Sequence, residues 1–130
     1  MLVRTYGSAV YGIDAITVTI EVDVSPGINF FLVGLPDSAV RESQQRISTA
    51  VQSVGLKVPG KRIVINMAPA DIRKEGSAYD LPLALGILAA SGQIEASALE
   101  HFVCMGELAL DGSLRPVRGA LSIALHARAC

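Results

Sequence analysis

The sequence predicts an α+β or α/β sandwich, a single domain with its helices on one side of a sheet. Three observations lead to this fold class. The chain has 130 residues, the size of one ordinary domain with a core of its own. Hydrophobic residues make up 51% of it, and aliphatic side chains suit the layered packing of helices on a sheet. Strand-like and helix-like patterns follow one another in the order ββαβα(α)ββα.

Three segments predict strands in the first half of the chain. Residues 15–24, AITVTIEVDV, alternate apolar and polar side chains with a period of two. Ser-Pro-Gly at 25–27 breaks this pattern, and INFFLVG at 28–34 predicts a second strand, so that a hairpin is the natural connection between the two. RIVINMAP at 62–69 predicts a third strand.

Two helices are expected between and after these strands. The first starts at Asp37 or Ser38, either of which can cap exposed backbone N–H groups, and Gly55 suits the position just beyond its end. Its apolar stripe consists of Val40, Ile47, Val51 and Val54. The second helix, DLPLALGILAAS at 80–91, is apolar nearly all round and is therefore expected to be buried.

The last third of the chain predicts smaller elements. Residues 97–102 suggest a short helix, and residues 102–117 suggest two strands around Asp111-Gly112, a signal for a two-residue hairpin. The helical pattern of residues 119–130 stops without a capping glycine or a polar tail. We therefore expect a chain truncated at its C-terminus, ending inside its last helix region.

Charge and composition argue against several functions. The formal net charge is −1, which gives no overall electrostatic footprint for nucleic acid. The N-terminus has no signal-peptide pattern, and no window approaches 18 uninterrupted apolar residues. We expect a cytoplasmic protein.

No metal or cofactor site is predicted. Cys104 and Cys130 lack metal-ligand spacing, and His101 and His126 have no carboxylate or second ligand at metal spacing. Gly60 is followed by a lysine, but a phosphate-binding loop needs an earlier glycine and a Ser or Thr after the lysine.

Three blocks of the sequence resemble one family. They are GLPDSAVRESQQRISTAVQSVG at 34–55, INMAPADIRKEGSAYDLPLALGILAASG at 65–92 and GELALDGSLRPVRGAL at 106–121. Together they resemble the N-terminal domain of the ComM/YifB family of magnesium-chelatase-like AAA+ ATPases. The resemblance implies an α+β fold of the ribosomal protein S5 domain 2 type, with a mixed sheet and helices on one side. This fold is shared with the proteolytic domain of Lon and the C-terminal domain of RadA.

The kinship with Lon raises the question of a catalytic serine. Lon-type proteases use a Ser–Lys dyad, and the resemblance places Ser77 at the serine position and Leu121 at the lysine position. A leucine accepts no proton, no lysine occurs after Lys74, and the three arginines Arg115, Arg118 and Arg128 stay protonated. We therefore expect no catalytic residue in this chain, and Ser77 is interpreted as part of a compact loop that bonds locally near a helix start.

The loop at 70–79 is rich in charges of both signs and lies before Asp80, which is expected to act as an N-cap or first-turn acid. One interpretation is an exposed, self-neutralising loop, and the other is an interface. The candidate interface or DNA contacts are Arg41, Arg46, Lys61, Arg62, Arg73 and Lys74.

The resemblance also implies a function for longer relatives. ComM proteins are DNA branch-migration helicases of natural transformation, and they work as homo-hexameric rings with ATP and Mg²⁺ bound in an AAA+ module. The present chain has no Walker A string, so we expect an accessory domain for ring assembly, DNA contact or both. The alternatives are a residual Lon-type serine hydrolase and a chelatase-like role in metal insertion.

Overall fold

The computed structural model describes residues 1–11 and 13–129, and Cys130 lies outside the described residues. The main sheet has four strands in the order β1-β2-β4-β3. They are β1 (Leu2–Tyr11), β2 (Asp14–Ser25), β3 (Phe30–Val33) and β4 (Arg62–Ala68). The pairs β1/β2 and β2/β4 are antiparallel, whereas β3 is parallel to β4. The α+β class and the mixed sheet are therefore confirmed, and the finer S5 domain 2-like assignment stays a prediction.

Helices and a small second sheet complete the described fold. The helices are α1 (Ser38–Arg41), α2 (Ser43–Ser53), α3 (Asp80–Ala90) and α4 (Ala120–Ala129), with a 3-10 turn at Leu99–His101. Strands β5 (Glu107–Leu108) and β6 (Leu114–Arg115) form the second sheet. None of the described helices is long and apolar enough to cross a membrane.

The pairing of the first strands corrects the sequence prediction. β1, which the sequence reading missed, forms the hairpin with β2, with Leu2 opposite Asp23 and Tyr11 opposite Asp14. The predicted hairpin between β2 and β3 is wrong, because β4 lies between these two strands. A parallel β3–β4 pair requires a crossover, which α1 and α2 provide.

The core lies on one face of the sheet, under α3 and α2. Alternate residues of β2 and β4 are buried there, and α3 approaches so closely that a Cβ added to Gly86 would lie 2.6 Å from Val22 Cγ2. The buried residues of the sheet and of α3 form one cluster. The burial of these apolar side chains is the main favourable contribution to folding.

The predicted caps of the first helix are confirmed, although the helix is interrupted at Glu42. The Val40 N–H donates to Asp37 Oδ1 at 2.8 Å, which makes Asp37 the N-cap. Gly55 follows the helix with a φ of 86°, a conformation that costs a glycine little.

The predicted hairpin at Asp111-Gly112 is present, but its loop is longer than the two residues predicted. The pair Leu108–Leu114 closes a connection of residues 109–113. Asp111 Oδ1 accepts from the Ser113 N–H at 2.9 Å and from its hydroxyl at 2.6 Å, so the aspartate organises the longer turn through its side chain.

The prediction of helices on one side of the sheet is also wrong. Thr17 Oγ1 lies 3.1 Å from Nε2 of His126 on α4, and a Cβ on Gly119 would touch Val10. Thr17 and Val10 point to the face opposite the buried Val18, because strand side chains alternate. α4 therefore covers part of the outer face, at the closed end of the β1–β2 hairpin.

Candidate functional site

An open cleft of about 630 Å³ lies where the β1 edge, the 73–79 loop and the segment before α4 meet. Its walls include Ser8, Ala9, Val10, Asp37, Arg73, Glu75, Gly76, Ser77, Ala78, Tyr79, Met105, Glu107, Pro116, Val117, Arg118 and Ile123. The cleft has the size of a small-molecule site. It brings Ser77 together with charged side chains from distant parts of the chain.

Ser77 bonds to a carboxylate in this cleft. Its hydroxyl donates to Glu107 Oε1, and the other oxygen of Glu107 lies 3.4 Å from Arg115 Nε. Glu107 is thirty residues away in the sequence. The prediction that the Ser77 hydroxyl bonds locally near the helix start is therefore wrong. Leu121, at the position of the Lon lysine, is 74% exposed on α4. Ser77 is therefore anchored to an ion-paired glutamate.

Asp80 has a larger role than the predicted first-turn acid. It is the first residue of α3, as expected, and its side chain is 0% exposed. Its carboxylate accepts from the Ser43 hydroxyl at 2.6 Å, from Arg46 Nε at 2.7 Å and from the Leu108 N–H at 3.0 Å. The carboxylate thus connects α2, α3 and β5, and its bond to Arg46 raises the pKa of that guanidinium.

Lys74, a predicted contact residue, lies inside the protein. The residue is 0% exposed, and its Nζ donates to the carbonyl oxygens of Gly34, at 2.7 Å, and Pro69. Burial lowers the pKa of Lys74, an effect that the charge of Asp71 partly offsets. The prediction of Lys74 as a surface contact is therefore wrong, because its ammonium group ties two loops together.

Arg46, another predicted contact residue, also forms hydrogen bonds within the domain. Besides Asp80, its Nη2 donates to the Ala39 carbonyl at 2.7 Å. The sequence reading placed it on a polar helix face, since nothing local signals a partner thirty-four residues away. A polar residue beside a helical apolar stripe, together with an aspartate at a buried helix start, is the pattern that could have indicated such a pair.

The four remaining basic candidates are exposed but form two groups. Lys61 and Arg62 lie at the start of β4, whereas Arg73 follows the end of β4. Arg41 belongs to the second group, because its N–H bonds to the Asp37 carbonyl and the Asp37 N–H bonds to the Lys74 carbonyl. A seven-residue strand is about 20 Å long, so the two groups are separate surfaces.

The two groups differ in their partners. Arg73 Nε lies 3.3 Å from Glu75 Oε1, so this part of the loop is partly self-neutralised. The Arg62 guanidinium instead lies 5.5 Å from the centre of the Phe31 ring. An arginine over an aromatic ring keeps its full charge and exposes a planar surface.

The described residues contain no group of three or more His, Cys, Asp or Glu side chains that could hold a metal ion. Burial raises the pKa of the Cys104 thiol, which lowers its reactivity. The chelatase-like role in metal insertion stays a prediction.

Comparison with known proteins identifies the family of this chain. Residues 20–130 match the family model described as subunit ChlI of Mg-chelatase, and the chain belongs to this family. Its similarity extends to particular relatives. Competence protein ComM of Haemophilus influenzae is 48% identical over 98% of the chain, and the uncharacterized protein YifB of Escherichia coli is 46% identical over 92%. The uncharacterized protein Rv2897c of Mycobacterium tuberculosis is 41% identical over 96%.

The resemblance to the ComM/YifB group is therefore confirmed. The chain spans about a quarter of the length of these curated relatives, namely 25%, 24% and 25%.

Proposed function

We propose that this chain is an accessory domain of an ATP-driven DNA motor of the ComM type, and that it contributes DNA contacts. The observation that carries the proposal is the 48% identity to a competence protein over 98% of the chain. The motor itself, with its ATP and Mg²⁺, belongs in this proposal to an AAA+ module outside these residues. The partners are that module, neighbouring subunits of a homo-hexamer and DNA.

The distribution of polar groups supports an accessory role. The buried charges of Asp80 and Lys74, with the half-buried Arg46, hold helices and loops together. Arg41, Lys61 and Arg62 are exposed and can contact phosphates, whereas the exposed Arg73 is ion-paired with Glu75. Such contacts are independent of base sequence, as a motor that moves along DNA requires.

Fluorescence anisotropy of labelled single-stranded and forked DNA at two salt concentrations tests the proposal. We expect the domain to bind, with an affinity that falls as salt rises, because phosphate contacts release counterions. An anisotropy that stays flat up to high micromolar protein at low salt would show that the domain makes no DNA contact of its own.

A residual serine hydrolase is the second candidate, favoured by the bond between Ser77 and Glu107 in the cleft. In this reaction Ser77 Oγ attacks an ester carbonyl carbon while its proton passes to the Glu107 carboxylate. The alkoxide or phenolate leaves, and water then hydrolyses the acyl-serine ester. Glu107 is also ion-paired, with its other carboxylate oxygen 3.4 Å from Arg115 Nε.

Hydrolysis of p-nitrophenyl acetate by the wild type and by Ser77→Ala tests this candidate. A rate that falls to background in Ser77→Ala would support it, and equal rates would refute it. Arg118→Ala, which changes another residue of the cleft wall, is the control for general disturbance of the cleft.

A further inference from the structure

We propose that the open half of the outer sheet face, around Phe31 and Arg62, is a binding site for single-stranded DNA. Unpaired bases stack on the ring of Phe31 and on the guanidinium plane of Arg62, while Lys61 and Arg62 contact phosphates. This inference rests on the DNA contact proposed above and specifies its place and chemistry. We call this surface the Phe31 face and define it by Phe31, Val33, Arg62, Val64 and Asn66.

The strand register places these side chains side by side. Phe31 pairs with Val64, and Val33 pairs with Asn66, so each pair projects on the same side of the sheet. The neighbouring residues Ile63 and Ile65 are buried on the inner face. The Phe31 face is therefore directed away from the core.

This face is open in the described part of the chain. The contacts of α4 at Val10 and Thr17 lie at the closed end of the β1–β2 hairpin, away from β3. Phe31 stays 43% exposed and Val33 47% exposed. Apolar side chains that stay exposed next to one another on a sheet mark an interaction surface.

The chemistry of the face favours a nucleic acid. The Arg62 guanidinium lies 5.5 Å from the centre of the Phe31 ring, which presents a ring and a cationic plane together. Every base offers a flat face to such a pair, and stacking on aromatic rings or guanidinium groups is how proteins hold single strands. A duplex hides its base faces and leaves only base edges and phosphates accessible, so it offers no surface for stacking.

The charges around the face complement phosphate. The nearby acids are engaged: Glu21 accepts from Asn66 at 3.0 Å and lies 3.4 Å from Arg4, and the Asp23 carboxylate lies 3.9 Å from the Met1 amino group. Among the described residues, neither Lys61 nor Arg62 forms an ion pair with a carboxylate. The β3–β4 side of the face therefore carries positive charge that a phosphate can neutralise.

The test is an anisotropy titration of a fluorescent 15-nucleotide oligothymidylate at two salt concentrations, beside a duplex of the same length. We expect the wild type to bind the single strand more tightly than the duplex. Phe31→Leu keeps an apolar side chain opposite Val64 but removes the ring, and should weaken binding at least about fivefold. Phe31→Tyr keeps the ring and should bind as the wild type does. Arg62→Ala should weaken binding and lower the salt slope by about 0.7.

Matched controls separate the site from general effects. Phe102→Ala removes another exposed aromatic ring, which lies next to the opposite edge of the sheet. Arg128→Ala removes one positive charge from α4. Both variants should bind within about twofold of the wild type, and thermal melts confirm that each variant is folded.

The outcomes distinguish this inference from the proposed function. A wild-type domain that binds no DNA would refute the DNA contact and the Phe31 face together. Binding that Phe31→Leu and Arg62→Ala leave unchanged would refute the Phe31 face alone. The same holds if binding is lost instead on changing Arg41 and Arg73, or if duplex and single strand bind equally.

Discussion

Arg46 of α2 and Asp80 of α3 form a bidentate ion pair that joins the two helices. Arg46 Nε lies 2.7 Å from Asp80 Oδ2, and its Nη2 lies 3.0 Å from Oδ1. The aspartate is 0% exposed and also accepts from Ser43 and from the Leu108 N–H. Removal of the carboxylate leaves a cation, a hydroxyl and an N–H without their acceptor.

Asp80→Ala should therefore destabilise the domain by about 3 kcal/mol, because three donors lose a buried acceptor, although Arg46 stays partly hydrated. Urea unfolding followed by circular dichroism measures the loss. Glu75→Ala is the control, because it removes one partner of an exposed ion pair with Arg73. Such pairs contribute about 0.2–1 kcal/mol. A loss below about 1 kcal/mol in Asp80→Ala would contradict the central role of this carboxylate.

Lys74 should make stability depend on pH. Burial lowers the pKa of Lys74, so the unfolded chain holds this proton more tightly than the folded protein does. Below the folded pKa, the folded state bears the full cost of the buried charge. As pH rises through the folded pKa toward the ordinary lysine value of about 10.4, this cost is relieved. The stability of the wild type relative to Lys74→Met should therefore increase with pH in this interval.

Urea unfolding of both proteins at pH 7 and at pH 10 measures this change. The difference between the two proteins matters, since other groups titrate alike in both. Lys61→Met removes an exposed lysine and reports the effect of net charge alone. If the difference between the wild type and Lys74→Met were the same at both pH values, the cost assigned to the buried charge would be wrong.

The sequence predicted the elements whose pattern is local. β2, β4 and α3 were found because their own residues carry the alternation or the apolar run. β1 was missed because its core-facing positions include Thr5, Gly7 and Ala9, which give little alternation in hydrophobicity. At Gly7 the space is tight, because a Cβ would lie 3.1 Å from Met105 Sδ and 3.3 Å from the Tyr79 ring.

The site was harder to predict because its bonds join distant residues. Asp80 meets Arg46 across 34 positions, and Lys74 meets Gly34 across 40. Both basic residues looked like surface charges in the sequence, since charge alone does not reveal a buried partner. The exposed Arg62 was found, whereas its position over Phe31 depends on the parallel pairing of β3 with β4.

Gly34 should tolerate no side chain. Its φ is 108°, and a Cβ would lie 2.1 Å from the carbonyl oxygen of Met67, a backbone atom that cannot swing away. Gly34→Ala should cost more than about 3 kcal/mol, since strain and overlap add. Gly55→Ala is the matched control, because Gly55 has a φ of 86° with nothing within 4 Å of the added Cβ. That variant should lose only about 1–2 kcal/mol. Equal losses in thermal or urea unfolding would contradict the overlap with Met67.

Gly86 and Val22 set the distance between α3 and the sheet. In an exposed helix Gly→Ala stabilises by about 1 kcal/mol, but the Cβ of Gly86→Ala would lie 2.6 Å from Val22 Cγ2. Gly86→Ala should therefore destabilise by about 1–3 kcal/mol through overpacking. Val22→Ala alone should cost about 2 kcal/mol through the cavity that it leaves.

The double variant Gly86→Ala/Val22→Ala tests this contact directly, because the new methyl group occupies the space that the Val22 side chain vacates. Its loss of stability should be smaller than the sum of the single losses by more than about 1 kcal/mol, measured as a double-mutant cycle in urea. Gly60→Ala, with nothing within 4 Å of its added Cβ, should instead be additive with Val22→Ala. Additivity within about 0.5 kcal/mol for Gly86 and Val22 would mean that the helix shifts freely on the sheet. Strong coupling would mean that this contact fixes the position of α3, and with it Asp80 at the start of the helix.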